Sequence, residues 1–277
     1  MAITAQDVNK LRQMTGAGMM DCKKALTEAN GDFEAAVDYL RKKGQKVSAA
    51  RADRQTSEGA VFIKTSADGT KGLLISLGCE TDFVAKTDDF VKLGNTVLEA
   101  ADSSGASTPE ALNEVQVEGR PISDLLTDLV GKIGEKVEVL SVERVEGEKV
   151  TSYIHSNGKL GVLVAFTGAN GADVTESGKD VALQIAAMKP IAVDKDQVDA
   201  TTVEREIEVG REQARNEGKA EAMLDKIAQG RLAKFYKENT LLNQEFVKDP
   251  SKTVGQVLSA VSKGLTVKEF KRVAIGA

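Results

Sequence analysis

The stretch Cys79-Glu80-Thr81-Asp82-Phe83-Val84-Ala85-Lys86 joins two segments of different character. The apolar run Leu73-Leu74-Ile75-Ser76-Leu77 before it predicts a buried strand, and the amphipathic segment that begins near Thr87 predicts a helix. From spacing alone, we expect Phe83 to cover the local core and Asp82 to cap the helix. The alternative is that Phe83 is presented at the surface, because connecting segments at such corners carry many binding residues.

The strand and the helix around this corner belong to a plan that occurs twice. Residues 60–65 and 72–77 predict two strands joined by an Asp-Gly turn, and residues 150–155 and 160–166 predict two strands joined by an Asn-Gly turn. An amphipathic helix is predicted after each hairpin. Two related α+β subdomains, each with an antiparallel hairpin packed against helices, are therefore expected.

The second copy differs from the first at its corner, where Thr167-Gly168-Ala169-Asn170-Gly171 replaces the Thr-Asp-Phe-Val sequence. A duplicate would be expected to keep a corner that was only structural, so the difference favours a function for the first corner. Between the copies, Pro121 predicts the start of a helix that ends near Gly134, and residues 137–142 alternate as in a strand.

The N-terminal segment predicts three short helices that form a small bundle. The second helix is expected to begin between residues 19 and 21, Asp32 is suited to cap the third, and Gly44 is expected to end it. Adjacent Met19 and Met20 cannot both face one helix seam, so one thioether is expected at the surface, where it suits a partner contact.

A further pair of helices is predicted after the second subdomain begins. Apolar residues recur in a narrow seam before and after the turn Asn216-Glu217-Gly218, with charges at the remaining positions. This pattern predicts an antiparallel coiled-coil hairpin that projects from the core, and the alternative is a helix pair packed on the surface. Residues 267–275 predict a strand that returns to the second subdomain.

These elements define an α+β protein with an N-terminal three-helix bundle, two related subdomains and an inserted coiled-coil hairpin. The predicted boundaries are residues 1–44 for the bundle, 45–57 for an exposed tether that can be helical in part, 58–145 for the first subdomain, 146–195 and 238–277 for the second, and 196–237 for the hairpin.

Composition argues against several classes of function. The net charge of −5, the absence of Trp and the aromatic content of 4% argue against a nucleic-acid surface. Two cysteines are too few for a disulfide framework, and no basic-then-apolar leader precedes the first helix. No apolar run approaches the roughly 20 residues that cross a bilayer. We therefore expect a cytoplasmic protein without a direct nucleic-acid or membrane partner.

The sequence also lacks the motifs of a chemical active site. No phosphate-binding loop, nucleophile elbow, His-Glu-x-x-His or Cys-x-x-Cys is present. His155 is the single histidine, so it has no partners for a metal site or a catalytic triad. We expect no enzymatic activity, no bound metal and no cofactor, and from spacing alone we expect His155 to be a hairpin-tip residue that bonds backbone or water.

Two motifs closely resemble the bacterial elongation factor Ts family. They are Thr81-Asp82-Phe83-Val84 after a hairpin and Thr15-Gly16-Ala17-Gly18-Met19-Met20-Asp21-Cys22-Lys23-Lys24-Ala25-Leu26. The resemblance extends to about residue 275 and implies a ubiquitin-associated-like fold for the N-terminal bundle. It also implies a guanine-nucleotide exchange factor that binds the GTPase elongation factor Tu, GDP-bound or nucleotide-free, in one-to-one or two-to-two complexes.

The resemblance further implies two groups of site residues. The group that displaces Mg²⁺ from the partner GTPase comprises Thr81, Asp82, Phe83 and Val84. In this group Phe83 inserts into the GTPase, Asp82 shifts the segment that positions the metal, and Thr81 and Val84 shape the corner. The group that binds the partner comprises Arg12, Met19, Met20, Ile133, Gly134 and His155.

Two other functions remain compatible with the residues alone. A non-catalytic adaptor would use the N-terminal helices to recognise a protein partner without accelerating nucleotide release. An RNA-associated ribosome factor would bind RNA in a salt-sensitive way, which the acidic charge balance disfavours.

Overall fold

The computed structural model describes residues 3–276. The chain begins with helices α1 (Ala5–Thr15), α2 (Met19–Glu28) and α3 (Phe33–Ala50). Thr4 and Asp7 form a capping box at the start of α1, and the side chain of Asp32 caps α3. Leu11 of α1 and Leu26 of α2 are fully buried in the core of this bundle.

The first subdomain contains a three-stranded sheet with helices on its outer face, and a short sheet of two strands. Its elements are β1 (Glu58–Thr65), β2 (Lys71–Cys79), α4 (Asp82–Ala85), α5 (Asp88–Ser104), α6 (Pro109–Asn113), β3 (Gln116–Val117), β4 (Arg120–Pro121), α7 (Ile122–Ile133) and β5 (Val137–Glu146). The sheet order is β1-β2-β5 with antiparallel pairing. The helix from Pro121 is confirmed, because Pro121 precedes its first turn and Gly134 ends it with a positive φ of 76°.

The second subdomain repeats this topology. Its elements, with the inserted helices, are β6 (Lys149–Ile154), β7 (Leu160–Thr167), α8 (Thr175–Met188), α9 (Ala200–Asn216), α10 (Glu221–Asn239), β8 (Glu245–Phe246), β9 (Asp249–Thr253), α11 (Val254–Val261) and β10 (Thr266–Ala274). The sheet order is β10-β7-β6. In both subdomains a later strand pairs with the free edge of the hairpin's second strand, which confirms that the two are related.

The two sheets pack face to face, so that their second strands are buried on both sides. Leu74 on β2 lies with Leu163 and Ala165 of β7 in the cluster between the sheets. Ile75 and Leu77, on the other face of β2, pack with the helices of the first subdomain. This double burial explains why β2 is a continuous apolar run without alternation.

The prediction that Gly44 ends the third N-terminal helix is wrong, since α3 continues to Ala50. Gly44 lies where α3 crosses α7, and a Cβ there would stand 3.1 Å from the carbonyl oxygen of Thr127. Gly131 of α7 faces it across the crossing. The glycine therefore serves a close helix approach and not a helix end. The first residues of the predicted tether are consequently helical.

The helices α9 and α10 form an antiparallel hairpin, as predicted. They pack chiefly against each other, and the seam contains a close backbone approach in which a Cβ on Gly210 would lie 3.2 Å from the Cα of Ala228. Leu224 and Leu232 are buried in the same seam. This arrangement favours a projecting hairpin over a helix pair packed flat on the core. The predicted final strand is also confirmed, because β10 pairs with β7.

Candidate functional site

The corner between β2 and α4 presents an aromatic side chain to solvent. Phe83 is 79% exposed, whereas Val84, the next residue, is 8% exposed and packs in the core of the first subdomain. Adjacent residues of a helix point in different directions, and in α4 it is Val84 that points to the core. The expectation from spacing that Phe83 covers the core is therefore wrong, and Val84 takes that place.

Asp82 lies at the start of α4 but does not cap it. Thr81 occupies the N-cap position and makes no side-chain capping bond, while the carboxylate of Asp82 accepts a hydrogen bond of 2.6 Å from Lys86 Nζ. This hydrogen bond lowers the pKa of Asp82 below its ordinary value. The expected helix cap is wrong, and the corner instead carries an exposed ion pair beside Phe83.

Two carboxylates hold the corner from outside the motif. Glu135, which follows the end of α7, accepts hydrogen bonds from the Thr81 amide at 3.0 Å and from Thr81 Oγ1 at 2.8 Å. Glu80 accepts the Lys136 amide at 2.7 Å and pairs with Arg51 Nη1 at 2.8 Å. Although burial raises the pKa of Glu80, these two donors outweigh it and hold the pKa below its ordinary value.

The thiol of Cys79 is part of the same junction. It is fully buried and donates to the carbonyl oxygen of Thr81 at 3.1 Å. Burial, followed by the carboxylates of Glu135 and Glu58, raises the pKa of Cys79 to about 12. The neutral thiol is a poor nucleophile, so the geometry assigns Cys79 a structural role at the end of β2.

The predicted N-terminal contact residues are all at the surface. Arg12 is exposed, and both Met19 and Met20 are exposed at the start of α2, at 55% and 73%. The sequence predicts at least one exposed thioether, and the structure exposes both. Met14 near the end of α1 is also exposed, and sequence reasoning missed it because its spacing from Leu11 is typical of a core position.

The end of α7 connects the N-terminal bundle with the corner. Lys132 Nζ pairs with Asp89 Oδ2 at 2.6 Å, and the same side chain lies against Gly16 in the turn between α1 and α2. Ile133 and Gly134, two of the predicted contact residues, are partly exposed immediately beyond it. They therefore lie between the N-terminal turn and the corner residue Thr81, which Glu135 binds.

His155 lies in the exposed turn between β6 and β7. Its Nδ1 is 2.8 Å from the hydroxyl oxygen of Tyr153, so the expectation of a backbone or water partner gives way to a tyrosine partner. Lys159 in the same turn pairs with Glu58 at 2.9 Å, and Glu58 is opposite Cys79 in the β1–β2 register. The His155 turn is thus at the same end of the sheets as the corner.

Across residues 3–276, no group of three or more His, Cys, Asp and Glu side chains is placed to hold a metal ion. Within the same range, no helix combines the length and the apolar character that crossing a bilayer requires. A groove of about 890 Å³ runs along α5 and is also lined by Gln116 and Val117 of β3. Its lining contains no His, Cys or Arg side chain.

An exposed aromatic side chain on a corner held by the core is typical of a protein that acts by binding another protein. Residues 80–277 match the family model described as Elongation factor TS. The chain is 60% identical over 274 residues to Elongation factor Ts of Cytophaga hutchinsonii, with 99% of both chains covered. It is 55% identical over 277 residues to that of Amoebophilus asiaticus, with full coverage of both, and 41% identical over 285 residues to that of Chlorobium phaeobacteroides, with 99% of both covered. The chain belongs to the elongation factor Ts family.

Proposed function

We propose that this protein is a guanine-nucleotide exchange factor that binds elongation factor Tu, disturbs its Mg²⁺ and phosphate site and promotes GDP release during translation elongation. Family membership supports the partner and the type of activity. The observation that carries the proposal is the 79% exposure of Phe83 on a corner whose neighbouring residues are buried or hydrogen-bonded. The protein supplies a surface, and the GTPase holds the nucleotide.

Exchange follows from thermodynamic linkage. Phosphate-loop amides, a lysine and Mg²⁺ of the GTPase hold the bound nucleotide. A factor that binds the empty GTPase more tightly than the occupied one must weaken nucleotide binding by the same ratio. A coupling of about 1–3 kcal/mol corresponds to a ratio of about 5–150. Contacts made only with the nucleotide-free form therefore determine the activity.

Phe83 is the main source of such a contact in this proposal. Burying a Phe side chain contributes about 1.5–3 kcal/mol, which is the size of a typical coupling. If Phe83 enters an apolar gap that opens only when Mg²⁺ and its segment have moved, this energy favours the nucleotide-free form. Asp82 and the adjacent backbone then occupy the space next to that segment, while Thr81 and Val84 keep the corner in shape.

The remaining contact residues are proposed to orient the complex. Arg12, Met19 and Met20 offer one charged and two apolar side chains on the N-terminal bundle. Gly134 with Ile133, and His155 in its turn, lie on either side of the corner. Thioethers adapt to irregular partner surfaces, so the methionines are suited to hold the GTPase while the corner acts on its metal site.

Stopped-flow release of a fluorescent GDP analogue from purified elongation factor Tu tests the proposal. We expect the protein to accelerate release, and Phe83→Ala to lower both the maximal rate and the affinity for nucleotide-free GTPase while it changes the affinity for GDP-bound GTPase less. Val247→Ala is the matched control, because Val247 is also exposed but lies in the second subdomain. An unchanged rate in Phe83→Ala would count against insertion, and binding without faster release by the wild-type protein would favour an adaptor.

A further inference from the structure

The backbone pairing of β2 and β5 ends at the corner, and beyond it hydrogen bonds between side chains and backbone connect the two segments. The last paired residues in the register are Cys79 and Val137. One step further, Glu80 accepts the amide of Lys136 at 2.7 Å. The opposite carboxylate, Glu135, accepts the amide of Thr81 at 3.0 Å. Each strand extension thus offers a carboxylate to the backbone of the other, and we call Glu80 and Glu135 the carboxylate clamp.

The carboxylate clamp makes more than two backbone bonds. Glu135 also accepts Thr81 Oγ1 at 2.8 Å, so both of its oxygens are engaged with one residue. Glu80 binds Arg51 Nη1 at 2.8 Å through each oxygen, and Arg51 is the C-cap residue of α3. Hydrogen bonds to ionised groups are stronger than neutral ones, and Glu80 is largely shielded from solvent.

The segment that carries Phe83 is short and is held at both ends. The helix α4 spans Asp82–Ala85, a length at which a helix is unstable by itself. Its N-cap residue makes no side-chain capping bond, and the pair between Asp82 and Lys86 is exposed, where ion pairs contribute little. On the C-terminal side of Phe83, Thr87 Oγ1 donates to the carbonyl oxygen of Val84 at 2.8 Å. On the N-terminal side, the backbone of Thr81 is the nearest point that side chains from outside the segment hold.

We propose that Glu135, together with Glu80, positions Phe83 for nucleotide exchange by holding the backbone of Thr81. The inference builds on the proposed function and assigns to residues outside the Thr-Asp-Phe-Val sequence a role in its activity. Glu135 does not need to touch the GTPase. Its loss leaves Phe83 exposed and chemically intact but allows its backbone to take several directions, so that insertion requires an ordering step first.

Variants of Glu135 and Thr81 separate positioning from binding. We expect Glu135→Ala, which removes both bonds to Thr81, to lower the maximal rate of GDP release at least about tenfold and to change the half-saturating concentration less than about twofold. Glu135→Gln keeps the volume but can accept only one of the two bonds, so an intermediate rate is expected. Glu143→Gln, on the same strand and paired with Lys271, is the matched control and should behave as wild type.

The hydroxyl of Thr81 offers a second test. Thr81→Val removes the hydroxyl donor to Glu135 but keeps the amide donor, and it should lower the rate about threefold to fivefold. In the double variant with Glu135→Ala, Thr81→Val should cause no further loss, because both changes remove the same bond. Additive losses would overturn the inference.

Hydrogen exchange of the Thr81 amide, followed by NMR, reports on the carboxylate clamp without the GTPase. Glu135→Ala should accelerate this exchange at least about tenfold while the amides of β7 stay protected. An unchanged amide overturns the inference, and so does an accelerated amide with a wild-type release rate. If the wild-type protein itself fails to accelerate GDP release, the proposed function falls and the positioning role falls with it, whatever the amide shows.

Discussion

Replacing Gly131 with alanine adds one methyl group where α7 crosses α3. A Cβ on Gly131 would lie 2.8 Å from the Cα of Gly44, roughly 0.7 Å inside the optimal separation of two carbon atoms. The Cα of Gly44 belongs to the backbone, and the position of a Cβ is fixed by the backbone that carries it, so no side-chain rotation relieves the contact. The helices must move apart, and the displacement affects the end of α3, where Arg51 reaches Glu80.

Two opposing effects determine how much Gly131→Ala changes the free energy of unfolding. Overpacking a close contact costs about 1–3 kcal/mol. The change from glycine to alanine within a helix stabilises it by about 1 kcal/mol. We therefore expect Gly131→Ala to lower the free energy of unfolding by about 1 kcal/mol. Gly230 in α10 isolates the second term, because it is exposed and a Cβ there would meet nothing within 4 Å.

Urea unfolding followed by circular dichroism measures both variants. Gly230→Ala should raise the free energy of unfolding by about 1 kcal/mol, so that the same chemical change differs by about 2 kcal/mol between the two helices. Unchanged slopes against urea would confirm that the variants unfold the same surface. If Gly131→Ala stabilises the protein as much as Gly230→Ala does, the close crossing of α3 and α7 is wrong.

Three further predictions concern the corner. Val84→Ala should lower the free energy of unfolding by about 1–3 kcal/mol, whereas Phe83→Ala should change it by less than about 0.5 kcal/mol, as thermal melts will show. Because the pKa of Cys79 is raised from 9.0 to about 12, the neutral thiol contributes its full stability below pH 9.0 and loses it as the pH rises from there. Urea unfolding at pH 8 and pH 10 should therefore show a smaller decrease in the free energy of unfolding for Cys79→Ala than for wild type. An equal decrease would contradict the assignment. Because the pKa of Glu80 lies below its ordinary value of 4.5, the ionised carboxylate stabilises the fold above that pH, and this contribution is lost as the pH falls. Glu80→Gln should therefore lose less free energy of unfolding than wild type between pH 5 and pH 3. Equal losses in the two proteins would contradict this.

Local patterns predicted the hairpins, the helices and the inserted coiled coil well. The Asp-Gly and Asn-Gly turns, the Pro121 start and the Gly134 end depend on the conformations of a few neighbouring residues. Gly44 was misassigned for the opposite reason. Its role depends on Gly131, 87 positions along the chain, and no helical periodicity reports such a partner.

In the site, too, features that depend on neighbouring residues were predicted and features that depend on distant residues were not. The motif itself was visible in the sequence, but spacing alone placed Phe83 in the core, because a one-turn helix is too short for its buried face to be inferred. Glu80 and Glu135 were missed altogether. Their partners Lys136 and Thr81 are 56 and 54 residues away, and they become neighbours only when β2 pairs with β5.

The residence time of GDP on elongation factor Tu tests the central claim most directly. The claim is that this protein binds the empty GTPase more tightly than the occupied one and uses Phe83 to do so. Its addition at saturating concentration should shorten the GDP residence time at least about fivefold, the lower end of a typical coupling, and Phe83→Ala should restore most of that time. A residence time that the wild-type protein leaves unchanged at saturation would contradict the account.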